Sequence, residues 1–103
     1  MQIIIVQLNE LNFDLLNQYA GRVNLPNFTK IQKLERILTT SEEDYESLEP
    51  WIQWYSFYTG KRVSDHGVRR LGDCVNQTDK TFFNILENEK HSIGCISAMN
   101  LSN

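Results

Sequence analysis

Ile3-Ile4-Ile5-Val6 is the stretch on which the fold reading turns. Four consecutive β-branched residues show no polar alternation, so they suit a strand covered on both faces. Strands of that kind belong to parallel sheets with helices above and below. Gln7 and Leu8 extend the run, which sets an expected first strand at Gln2 to Leu8. His91 to Ala98, with Ile93-Gly94-Cys95-Ile96 at its centre, reads as a second buried strand parallel to the first. Arg36-Ile37-Leu38-Thr39-Thr40 reads as a further short strand.

Helical patterns separate these runs. Leu11, Leu15, Leu16 and Tyr19 recur at spacings of three and four, and Ala20-Gly21 can end that helix with Gly21 as a left-handed cap. Leu25-Pro26-Asn27 opens a second short helix, with Phe28, Ile31 and Leu34 on one side. Ser41-Glu42-Glu43-Asp44 is a polar turn that can cap a helical turn reaching Leu48. Pro50 fits the first position of a helix, where its missing N–H costs nothing. Trp51, Trp54, Tyr55 and Tyr58 then form one helical face, and Gly60 stops it. Lys61 to Lys80 reads mostly as loop, and Thr81 to Asn88 as a helix carrying Phe82, Phe83, Ile85 and Leu86.

Alternating strands and helices predict an α/β fold, a mostly parallel sheet with flanking helices. Residues 1–103 then form the amino-terminal part of one domain. About three strands are few for a sheet of this class, so the domain is expected to be incomplete.

The chain has 103 residues, 41% of them hydrophobic, and a net charge of −3. That composition can fill a core but offers no basic surface for nucleic acid or an anionic membrane. The apolar amino terminus is short and lacks a basic start and a cleavage site, so it is not a signal peptide. No stretch approaches the roughly 20 apolar residues of a membrane span. Cys74 and Cys95 lie far apart and read as reduced thiols. A cytoplasmic location is expected.

Ligands of open parallel sheets bind at the carboxyl ends of the strands. Asn9-Glu10 directly follows the first run. Glu10 suits a metal ligand or a solvated carboxylate, and Asn9 suits a substrate-orienting group or a cap for the next helix. The helix start at Glu49-Pro50-Trp51 is the second place, since free N–H groups there favour a phosphate or sulfate. Glu49, Trp51 and His66 are candidate substrate contacts. His66 titrates near neutrality and can move a proton, while His66-Gly67 also reads as a turn in which Gly67 takes a special backbone angle.

Taken together, these residues resemble the alkaline phosphatase superfamily, in particular its phosphodiesterase, nucleotide pyrophosphatase and sulfatase branches. The resemblance rests on Ile3 to Leu11, on Leu25-Pro26-Asn27-Phe28, on Ser56-Phe57-Tyr58-Thr59-Gly60 and on Asp65-His66-Gly67-Val68. It spans nearly the whole chain. It implies a divalent metal (zinc, manganese or magnesium) in a full-length protein, with Glu10 and Asn9 at the metal position. It also implies, as partner, a phosphate or sulfate ester substrate or the missing carboxy-terminal half; an oligomer is a separate expectation.

Two positions depart from the family pattern. Asn9 stands where the acidic metal ligand falls, and Pro50 stands where the nucleophile falls. Two expectations follow. One is the amino-terminal segment of a metal-dependent phosphate- or sulfate-ester hydrolase or transferase, inactive alone. The other is a non-catalytic binding or assembly domain that lacks the nucleophile.

Overall fold

A computed structural model describes residues 3–35 and 37–101. The chain divides into two compact units, Met1–Thr39 and Thr40–Asn103.

In the first unit, α1 spans Phe13–Ala20 and α2 spans Pro26–Gln32. Asn12 starts α1: its side-chain oxygen accepts the Leu15 N–H at 2.9 Å. That bond satisfies one of the donors every helix start leaves open. The cap is therefore Asn12 and not Asn9. Gly21 ends α1 as expected but in a right-handed conformation, at φ −74°. Pro26 holds the first position of α2. The Gln32 side-chain amide donates to Asn17 Oδ1 at 2.6 Å, which ties α2 to α1. Leu16, Ala20, Leu25 and Phe28 are half-buried, and no described residue of this unit is fully buried.

The expected parallel sheet is not formed. Among the described residues there is no β-strand, and the α/β, alkaline-phosphatase-like architecture is replaced by helices and turns. Ile3, Ile4, Ile5 and Val6 are 55–80% exposed, Ile37 and Leu38 more so, and Ile96 is 94% exposed. Gln2 and Arg36, parts of two expected strands, lie outside the described residues. The physical reason is that β-branched composition measures fit to a pleated, covered surface and not a backbone preference. A strand also needs a neighbour about 4.8 Å away to pair its N–H and C=O groups. The two longest apolar runs fall in different units. The second is also interrupted, because Ser97 sits at φ 55°, in the left-handed region a strand does not use.

The second unit is organised by α3, Pro50–Thr59. Pro50 presets its first turn, and Gly60 closes it at φ 66° with its N–H donating to the Ser56 carbonyl. Ile52, Tyr55 and Tyr58 are the fully buried positions, while Trp51 and Trp54 are half-buried. The buried face is thus rotated slightly from the expected aromatic stripe.

The stretch read as loop contains one helical turn, α4 at Val63–His66, and a 3-10 turn at Asp73–Asn76. Glu42 supports α4 by accepting the Val63 N–H at 3.0 Å. Val68 and Cys74 from this stretch pack with Tyr55 as the core. The last helix, α5 at Phe82–Asn88, begins at a reciprocal cap between Thr81 and Asn84. Tyr58 meets Phe82 and Phe83 edge-on at 6.1 and 5.3 Å, which joins α3 to α5. Trp54 stacks on Tyr58 from the more open side at 6.3 Å.

Tyr58→Ala should lower stability by about 3–5 kcal/mol, the cost of emptying a packed aromatic site. Trp54→Ala should cost clearly less, because water already reaches that ring. Urea unfolding of both variants measures the difference; equal losses would place Trp54 in the core.

Candidate functional site

The two halves of the expected site belong to different units. Asn9 and Glu10 lie in the first unit; Glu49, Trp51 and His66 lie in the second. Asn9 and Glu10 form an exposed turn after the apolar run, with Glu10 at φ 55°. That backbone angle costs a non-glycine residue energy and marks Glu10 as locally constrained. The two side chains offer an amide and a carboxylate. Zinc takes about four ligands and magnesium about six, so this pair alone does not make a metal site. Among the described residues no three His, Cys, Asp or Glu side chains gather around one point.

Glu49 occupies the cap position of α3 with extended backbone, and its side chain makes no capping bond. Its carbonyl accepts the Ile52 and Gln53 N–H groups. Trp51 is held by the loop that follows α4: its indole N–H donates to the Arg69 carbonyl at 3.1 Å.

His66 is buried at the end of α4 and lies against Tyr55, ring centroids 5.1 Å apart. Both ring nitrogens are engaged. Nδ1 accepts the Val68 backbone N–H at 3.0 Å, and Nε2 lies 2.8 Å from Ser56 Oγ. An N–H can only donate, so Nδ1 carries a lone pair and the neutral ring carries its proton on Nε2. Nε2–H therefore donates to Ser56, whose hydroxyl is in turn 3.3 Å from the Ile52 carbonyl. In a Ser–His nucleophile pair the imidazole nitrogen facing the serine accepts that hydroxyl's proton. Here the polarity is opposite, and Ser56 is not activated. Burial pushes His66 below its ordinary value, against the carboxylates of Asp79, Glu42 and Asp65, which pull it up.

Two residues outside the sequence-based set organise the neighbouring loop. Asp73 Oδ2 accepts the Arg69 and Arg70 N–H groups at 3.0 and 2.8 Å, which holds its carboxyl below the usual range. Asn100 is buried, accepts the Gly72 N–H at 2.9 Å and donates to the carbonyls of Trp51 and Arg70 at 2.9 and 3.2 Å. Asp73 after a glycine is a turn signal readable in the sequence. Asn100 gives no local signal, because its partners are 28 to 49 residues away.

An open depression of about 380 Å³ lies beside α5 and includes Tyr55, Asp79, Lys80, Asn84 and Glu87 in its lining. Asp79 also pairs with Lys61 there. Its carboxylates and amides can accept hydrogen bonds, but it holds none of the five residues expected from the sequence.

Nitrogen-15 NMR near neutral pH should find His66 neutral and protonated on Nε2; a proton on Nδ1 would overturn the polarity derived above. Asn100→Ala should cost about 0.5–1.5 kcal/mol for each hydrogen bond lost, since Gly72 and Arg70 are exposed and water can reach their backbone groups, read from thermal or urea unfolding.

No family model, curated protein or solved structure matches this chain.

Proposed function

We propose that this chain is a non-catalytic binding or assembly module. The observation that carries the reading is the exposure of Ile3-Ile4-Ile5-Val6 without a strand neighbour among the described residues. Four uncharged β-branched side chains in water gain free energy when a sheet covers them, at about 25 cal/mol per Å² buried. A second copy of this chain is the partner this segment fits, the two Ile3–Val6 runs pairing through main-chain hydrogen bonds and burying each other's side chains. The reversed polarity of the Ser56–His66 pair and the proline at position 50 support binding over catalysis.

No helix among the described residues is long and apolar enough to cross a membrane. The reading places the module in the cytoplasm, with Cys74 and Cys95 free as a reducing compartment favours.

Two measurements test the proposal together. Purified chain should not hydrolyse aryl phosphate or aryl sulfate with zinc, manganese or magnesium. Sedimentation should show concentration-dependent association that Ile4→Lys weakens, because a charge cannot enter a covered sheet face without a large desolvation cost. Metal-dependent turnover lost in Glu10→Gln would overturn the reading, as would a strictly monomeric chain indifferent to Ile4→Lys.

A further inference from the structure

The start of the loop after α4 is held by one nitrogen lone pair, His66 Nδ1, which accepts the Val68 N–H. Val68 is fully buried, so water cannot replace the imidazole as acceptor for its N–H. A second ring proton must go on Nδ1, since Nε2 already carries one. It would face the Val68 N–H across 3.0 Å, donor against donor. The bond to Ser56 on the other side of the ring is unaffected, because Nε2 donates in both states. Protonation therefore loosens one side of His66 only.

That side leads into a connected set of bonds. The Arg69 carbonyl takes the Trp51 indole N–H, Asp73 takes the Arg69 and Arg70 N–H groups, and Asn100 takes the Gly72 N–H. The Tyr58 contacts with Phe82 and Phe83 lie outside this set. We propose that His66 is a proton-operated latch, which on protonation releases the Val68–Asp73 loop and the Asn100 tether while α3 and α5 stay packed.

The groups around the ring set its operating range. Tyr55 and Ser56 face it from α3, and Asp65 comes from α4 itself. Glu42 comes from the acidic segment, Lys61 from the α3–α4 link and Asp79 from the segment before α5. The three carboxylates favour the charged ring; burial, the largest influence, and Lys61 oppose it. The folded value lies below the ordinary 6.5, so the unfolded or opened ring binds the proton more readily. The closed loop is thus fully favoured above about pH 6.5 and loses support as pH falls through the lowered folded value. Asp73 does not drive the change: its carboxyl is held below 3.8 and stays ionised through this window.

NMR hydrogen exchange across a pH series tests the latch in the intact chain. After correction for intrinsic rates, the Val68 and Gly72 amides should exchange about tenfold faster per pH unit on the acid side of about 6.5, the limit for one linked proton. The acceleration should level off where the ring-nitrogen shifts show the closed His66 ring titrating, while the Ile52 and Tyr58 amides keep their protection. His66→Gln should abolish the pH dependence, and His91→Gln should leave it intact. Should His66→Gln fail to fold, the ring shifts of the unmodified protein decide. Val68 and Gly72 amides indifferent to His66 titration would overturn the proposal. So would simultaneous loss of protection at Ile52 and Tyr58, or a pH dependence that survives His66→Gln.

Discussion

The second unit depends on a neutral imidazole held between a hydroxyl and a backbone N–H. Burying an imidazole costs free energy unless both nitrogens find partners. Ser56 and Val68 supply them, and in doing so fix the end of α4 against α3. Tyr55, Val68 and Cys74 close over the same place as an apolar cluster. The polar bonds set the geometry and the apolar contacts exclude water, so neither set would hold alone. A few aromatic side chains then extend the packing to α5.

The first unit is built differently. Its helices have sound local starts, at Asn12 and Pro26, but no described side chain there is fully buried. A side-chain cap such as that of Asn12 contributes about 1 kcal/mol and does not substitute for a core. The unit therefore presents apolar residues outward, Ile3 to Val6 foremost.

The helices were legible because their signals are local. Pro50 and Gly60 bracket α3, Thr81 starts α5, and Gly67 takes the left-handed angle that a His-Gly turn suggested, at φ 68°. The strands were read from the sequence but did not form among the described residues, because strand formation is decided by neighbours that composition does not reveal. The α4 turn and the buried Val63, Val68 and Cys74 were hidden within a segment too irregular for any period to show. Of the site, His66 stood out as a titratable residue, but its role is set by Ser56, ten positions earlier on another helix. Asn9, Glu10, Glu49 and Trp51 could be named from sequence position; what each side chain touches could not.

The Asn100 tether also has a bearing on how the chain acquires this structure. Its bond to the Trp51 carbonyl joins residues 49 positions apart, whereas the caps of α3 and α5 close over a few. Contacts of high sequence separation form late, since the loop between them must be closed before they repay its entropy. On a ribosome adding about 5–20 residues per second, Trp51 precedes Asn100 by roughly 2–10 s. Through that interval the Trp51 carbonyl is without its Asn100 partner, so the start of α3 is completed by a residue made well after the helix itself.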